Sequence, residues 1–300
     1  MPVNKIPVIL DTDIGFDIDD TWALGFILKC PELDVKLITT STDNTPLKTK
    51  LVAKFLEIAG RTDIPIGIGP SKNQEKGNLY RWIEDYELSQ YPGVVNKNGI
   101  EALCSTILGS SDPVTLIAIG PLGTVAEALK MRPNITENAR FVGMQGSIRI
   151  GYPRTPFPHP EYNVKYDIQA CKDVFQAPWE KTITPLDTCG AIVLSGEYFE
   201  RIMNCDNIIV NLIKENFEIW AKKNGLTKLI TKEKKTSVLY DMVAIYLSFS
   251  EELLNIEELK IDVNEKGITK ISEEGNIIRC ATSWKDLDAF KDLIVNRLVN

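Results

Sequence analysis

Histidine is almost missing from this chain: one residue, His159, in 300. That leaves a single imidazole for any acid or base role and excludes a relay of histidines. Cysteine is sparse and dispersed. Cys30, Cys104, Cys171, Cys189, Cys205 and Cys280 form no Cys-x-x-Cys pair, which excludes a zinc ribbon and reads as reduced intracellular thiols rather than a disulfide frame. No apolar run approaches the roughly 20 residues that span a bilayer, so no membrane partner is expected. The start, Met1-Pro2-Val3-Asn4-Lys5, lacks the apolar core of a secretory signal, and the cytoplasm is the expected address. Basic charge is not in excess: 34 Lys and Arg stand against 41 Asp and Glu, a net charge of -7. That balance argues against nucleic acid as a partner, because phosphate binding needs a concentrated basic face. Internal repeats and low-complexity linkers are absent as well.

What is present is ordinary in bulk and unusual in one place. At 44% hydrophobic and 25% charged, the chain has the composition of a globular protein. Its length suits one large α/β domain or two smaller ones. The unusual place is Asp11-Thr12-Asp13-Ile14-Gly15-Phe16-Asp17-Ile18-Asp19-Asp20, where five of ten side chains are carboxylates. The apolar run Ile6–Leu10 before it reads as a buried strand, and Thr21–Leu28 after it reads as a helix. Strand, acidic loop and helix place the carboxylates at the C-terminal end of a strand, where open α/β sheets bind ligands. Like charges held that close resist ionising together. A cation removes the conflict, so the loop reads as built around a metal.

Rival readings of the loop fit less well, and a magnesium-dependent phosphohydrolase stays as a second alternative. An EF-hand needs glycine at its sixth position and glutamate at its twelfth; counted from Asp11 these are Phe16 and Trp22. A haloacid-dehalogenase-type phosphohydrolase also opens with Asp-x-Asp after a first strand, with Asp11 as covalent nucleophile. In that pattern a threonine follows the second aspartate by two residues, and here Gly15 stands there. A plain acidic helix N-terminus would explain Asp19 and Asp20 through the helix dipole and leave three carboxylates unexplained.

Short apolar runs alternate with longer helical patterns, which argues for βαβ units and a mainly parallel central sheet flanked by helices. The expected strands are 7–11, 35–40, 114–119, 139–144 and 182–185. The expected helices are 20–29, 46–59, 121–130, 167–176 and 241–250, with a small hairpin around 266–276 and a closing helix after it. Two segments leave the alternating plan, 70–99 with its tyrosines and Trp82, and the lysine-rich 221–236. Excursions of that length from a compact domain are candidate active-site loops or lids, or solvated hairpins with a charged face.

The motifs resemble those of the inosine-uridine preferring nucleoside hydrolases. Asp-x-Asp-x-Gly with a following Asp-Asp and helix is similar to the family's first loop. In order along the chain come Ile38-Thr39-Thr40-Ser41-Thr42-Asp43-Asn44, Ile117-Ala118-Ile119-Gly120-Pro121-Leu122-Gly123-Thr124, Met144-Gln145-Gly146, Pro160-Glu161-Tyr162-Asn163 and Val238-Leu239-Tyr240-Asp241. Each is similar to a family segment, and together they cover most of the chain. The resemblance implies one domain over 1–300 with the nucleoside hydrolase fold and its Rossmann-like core. It implies Ca²⁺-dependent cleavage of the N-glycosidic bond of ribonucleosides to ribose and free base, a role in purine salvage, and a homodimer or homotetramer.

Residue by residue, the resemblance gives the metal to Asp13, Asp20, Asp241 and the carbonyl of Ile119, with Asp13 also the general base. Asp19, Asn44, Glu161 and Asn163 would hold the ribose, with Met144 flooring the sugar pocket. Asp11 would orient the loop from behind. Each has a plainer rival: Asn163 as a turn residue, Glu161 as an exposed charge, Met144 as packing, Asp241 as a helix N-cap.

Three departures from the family pattern stand out. The acidic loop is two residues longer than the common form, which leaves Asp17 without a counterpart and able to replace Asp19. Tyr240 stands where many members have a histidine that protonates the departing base, and a phenol is a far weaker acid than imidazolium. His159, two residues before Glu161, is the one imidazole left as a catalytic acid. These departures touch the base end of the site more than the ribose end. Aromatic residues of the 80–91 segment, Trp220 and Tyr240 could stack a base, which points to purine or broad preference. The alternative function is a ribose- or nucleoside-binding protein of the same fold with weak or lost hydrolysis.

Overall fold

Alternating apolar runs and helices build one ten-stranded sheet. In the computed structural model, residues 5–300 are described; residues 1–4, where the sequence was read for a leader, lie outside them. The first half runs β1 (Ile6–Thr12), α1 (Asp19–Leu28), β2 (Leu33–Thr40), α2 (Thr45–Ile58), β3 (Ile66–Ile68), β4 (Val95–Asn96), α3 (Gly99–Leu108), β5 (Val114–Ala118) and α4 (Gly123–Met131). Next come β6 (Ala139–Met144), α5 (Tyr162–Tyr166), α6 (Ile168–Gln176), β7 (Lys181–Thr184), α7 (Leu186–Cys189), α8 (Glu197–Asn204) and α9 (Ile208–Lys223). The chain ends with α10 (Met242–Leu247), β8 (Leu254–Val263), β9 (Thr269–Ile271), β10 (Asn276–Trp284) and α11 (Leu287–Val299).

The strand order is β4-β3-β2-β1-β5-β6-β7-β10-β8-β9. Neighbouring strands from β4 through β7 to β10 are parallel, and β8 and β9 finish the sheet with antiparallel pairings. Alternate residues of β1 feed opposite cores: Val8 and Leu10 pack with α1, α2, α9, α10 and α11, while Ile9 packs with α3, α4 and α6. Both faces being covered, the central strands read as continuous apolar runs rather than alternating ones. The expected α/β class with a mainly parallel sheet is what the chain adopts.

β1 pairs with β2 on one side and β5 on the other. The sheet grows in opposite directions from this pair, so a crevice opens beyond the carboxyl ends of β1 and β5. That crevice positions the acidic loop.

The sequence reading did not name helices α3, α8 and α9, and its other differences from the structure fall at the ends of elements and of the sheet. Pro185 leaves the expected last parallel strand and becomes the residue before α7. The short strands β3 and β4, at one end of the sheet, were not anticipated. The expected hairpin is part of a three-strand unit, with β8 between β9 and β10 and β10 beside β7. Among the described residues, no helix is long and apolar enough to cross a membrane.

Candidate active site

The loop after β1 turns through Gly15, whose φ of +127° a side chain rarely adopts. α1 begins immediately beyond, with Asp19 and Asp20 in its first turn and no side-chain cap from Ile18. Asp241 stands just before α10 and makes no capping hydrogen bond, which removes its reading as an N-cap. These three buried aspartates offer carboxylate oxygens within 4.8 Å of one another. Burial first, then repulsion from neighbouring carboxylates, Asp13 and Asp17 among them, pushes all three well above the usual carboxylate range. An all-oxygen, acceptor-only set under that strain fits a hard divalent cation. The set differs from the expected one in holding Asp19, while Asp13 lies in the same cavity outside the tight trio.

Asp13 is placed by its neighbours. The Lys48 ammonium donates to its backbone carbonyl at 2.8 Å. A Cβ on Gly120 would lie 2.6 Å from Asp13 Oδ1, so only glycine there lets the loop after β5 approach the carboxylate. Burial raises the Asp13 carboxyl, against the lowering effect of Lys48. Behind the loop, Thr12 donates to Asp20 Oδ1 and Thr39 to Asp11 Oδ1, each at 2.5 Å. Asp11 is fully buried, its Oδ2 has no partner, and burial raises it to about 7.

The floor is built from β5, β6 and α5. Asn163 Nδ2 donates to the carbonyls of Ile119 at 2.9 Å and Met144 at 3.0 Å, which fixes its amide. Glu161 is 1% exposed, so it is no surface charge. It caps α5, accepting from Asn163 N at 2.7 Å and Val164 N, and accepts Gly146 N at 2.9 Å. Burial outweighs those three N–H donors and raises Glu161 to about 7.

Together these residues line a cavity of about 450 Å³. Asp13, Asp17, Asp19, Asp20, Ile119, Met144, Glu161, Asn163, Tyr240 and Asp241, all singled out from the sequence, are in its lining. Asn44 and His159 are not. Asn44 caps α2, its Oδ1 accepting Leu47 N. His159 is stacked on Tyr152 at 6.4 Å, with Nδ1 buried and unpartnered. Tyr152 is the ring in the lining, edge-to-face with Tyr240 at 5.8 Å. Burial holds both phenols above the usual tyrosine range.

Several lining residues escaped the sequence reading: Tyr152, Phe16, Asn78 and Asn224. The two asparagines come from the two irregular excursions. Asn78 donates to the Phe16 carbonyl at 2.6 Å and reaches Asn224 Oδ1 at 3.4 Å, so the segments meet over the acidic loop. Gly77 lies against the Gly15 carbonyl, and the Asn78 and Leu79 amides donate to it.

A sequence model of the inosine-uridine preferring nucleoside hydrolases matches residues 8–292. The chain belongs to this family. Among curated relatives, the pyrimidine-specific ribonucleoside hydrolase RihA of Escherichia coli is 28% identical, the match covering 98% of each chain. The non-specific ribonucleoside hydrolase RihC of Klebsiella pneumoniae is 26% identical, over 95% of this chain and 94% of that protein. Two solved structures share the fold. A plant nucleoside hydrolase superposes with a TM-score of 0.83 at 20% identity, covering 98% of this chain and 99% of that one. A purine-preferring ribonucleoside hydrolase from Gardnerella vaginalis superposes at 0.78 with 18% identity, covering 98% of both. In this nucleoside hydrolase family member the acidic loop, the Glu161–Asn163 segment and Asp241 thus share one cavity.

Proposed function

We propose that this chain is a Ca²⁺-dependent ribonucleoside hydrolase that cleaves the N-glycosidic bond to ribose and free base, with broad base acceptance that includes purines. The observation that carries the reading is the buried trio Asp19, Asp20 and Asp241 in one cavity with Asp13, Glu161 and Asn163. Family membership and the ribonucleoside hydrolase relatives, one pyrimidine-specific and one non-specific, support it.

Asp20 and Asp241 would hold the ion, with Asp13, Asp19 and the Ile119 carbonyl around it. Bound there, a divalent cation supplies Lewis acidity that makes water a usable nucleophile near neutral pH. Asp13, raised by burial, takes the proton from the attacking water; a base of raised pKa is better matched to that task. The C1′–N bond breaks with its electron pair going to the base, and positive charge grows on the ribose. The surrounding carboxylates stabilise that charge as it develops. Glu161, Asn163 and Asp19 bind and orient the sugar hydroxyls, and Met144 packs beneath. Phe16, Tyr152, Trp220 and Tyr240 offer faces to the base. The same reading carries a cytoplasmic homodimer or homotetramer acting in nucleoside salvage.

The test is ribose release from purine, pyrimidine and pyridinium ribosides, with bound metal quantified beside it. Ribose together with about one calcium per chain is expected. Asp13→Ala should lower kcat by ~10²–10⁴ and weaken the metal; full turnover by that variant would overturn the assignment. One observation favours a second reading, a ribose- or nucleoside-binding protein: Tyr240 at the base end and His159 outside the lining. Bound metal and nucleoside with no ribose from any substrate would select it.

A further inference from the structure

Asp43, next to last in the Ile38–Asn44 motif, is 6% exposed and stands outside the cavity lining, so any part it plays runs through its neighbours. Its backbone is unusual. Its φ is +47°, and Thr42 before it has a φ of +62°. Aspartate tolerates this left-handed region better than most residues. Two such residues in succession persist only where the surroundings hold them. Three segments of the site, far apart in the sequence, converge on Asp43 and do so.

The first is the acidic loop. Lys48 Nζ lies 3.6 Å from Asp43 Oδ2 and donates to Thr42 Oγ1 at 2.7 Å and to the Asp13 carbonyl at 2.8 Å. The second is α5, which carries Asn163 of the sugar floor. Its last residue, Tyr166, donates its hydroxyl to Asp43 Oδ1 at 2.7 Å. The third is the 70–79 segment, whose far end carries Asn78. Asn73 Nδ2 donates to Asp43 Oδ1 at 2.8 Å, and Lys72 N and Ser71 Oγ donate to the Asp43 carbonyl, each at 2.8 Å.

Charge matters here as well as shape. Lys48 is 2% exposed, and among the described residues Asp43 is the one carboxylate paired with its ammonium. A buried ammonium needs a countercharge, and the place of that countercharge decides where it points. Asp43 holds it on the Asp13 backbone. We propose, building on the hydrolase reading above, that Asp43 is a positioning residue for the hydrolytic step. Through Lys48 it sets the backbone of the loop that carries Asp13, and through Tyr166 and Asn73 it fixes that loop against the sugar floor and the 70–79 segment.

Asp43→Gly tests this, because it removes the carboxylate and keeps a φ that glycine adopts freely. The calcium-saturated protein is used, with the riboside turned over fastest in the panel above. The kcat should fall by about tenfold or more while KM changes by less than about threefold. Asp43→Asn keeps an acceptor for Tyr166 and tolerates the same φ, so it should recover part of the loss. It also serves if the glycine variant fails to fold. Since Asp43 acts through Lys48, Asp43→Gly made in a Lys48→Met background should cost kcat no more than about threefold. Urea unfolding of the same proteins reads stability separately. Stability lowered with kcat kept within about twofold would mean a merely structural Asp43, overturning this inference and leaving the hydrolase reading intact. An equal loss of kcat with and without Lys48 would overturn it too. Ribose from no riboside of the panel with the unaltered chain would instead sink the hydrolase reading on which it rests.

Discussion

Lys48 lies in the first half of α2, where a lysine ordinarily reaches out to solvent, yet it is 2% exposed. Its ammonium donates to the Asp13 carbonyl at 2.8 Å and Thr42 Oγ1 at 2.7 Å, and lies 3.6 Å from Asp43. Lys48→Met would leave those acceptors buried and unpaired, at a cost of about 2 kcal/mol. Urea unfolding should register that loss, and steady-state kinetics should show kcat falling more than KM rises. Glu161 makes a different prediction. Burial lifts it from 4.5 to about 7, so the folded chain keeps a proton that the unfolded chain releases near 4.5. That contribution is present at low pH and is lost as pH rises through about 7. Melting of the chelator-treated protein should therefore weaken from about pH 5 to about pH 7.5, and Glu161→Gln should flatten that slope. At this scale the sequence was uneven. The acidic loop was legible through its charge density alone. Lys48 was not, because its burial comes from the loops that close over α2 and not from any periodicity. Tyr152, Asn78 and Asn224 are isolated residues in irregular segments, where no repeating pattern marks a side chain as inward.

At the scale of elements, β1, β5 and the turns that leave them do most to shape the site. The Ile119-Gly120-Pro121 turn can approach Asp13 only because Gly120 has no Cβ; the nearest carboxylate atom would sit 2.6 Å from one. Gly120→Ala should therefore displace Asp13 with the fold intact. Turnover should drop by ~10²-fold, the scale of an ångström's misplacement at a reacting centre, while circular dichroism stays unchanged. Retention of full activity would show that Asp13 has room to move. The central strands were legible because burial on both faces makes them continuous apolar runs. The two short strands at one end of the sheet were not: β4 has two residues and β3 three, too short for period-two alternation to register. The C-terminal hairpin was visible from its turns, but nothing local could reveal that β10 would cross to lie beside β7.

For the whole molecule, the crowded carboxylates make ion and proton rivals. Asp19, Asp20 and Asp241 are held well above the usual range by burial and by neighbouring carboxylates, so protons occupy them readily as pH falls. Calcium affinity, followed by titration calorimetry, should weaken by about tenfold or more from about pH 8 to about pH 5.5. Chelation should lower the melting temperature more at the higher pH, where the bare charges repel. An affinity independent of pH would mean that the ion binds elsewhere.

The trio also spans the chain from Asp19 to Asp241, and this gives the site an order in time. A ribosome releases the acidic loop early and Asp241 late, with β10 still to follow. If the trio seats the ion as proposed, a nascent chain carries Asp19 and Asp20 without the partner that completes that seat. Uptake of the ion would then be a closing event of synthesis, and a chain truncated before α10 would be left unable to hold it.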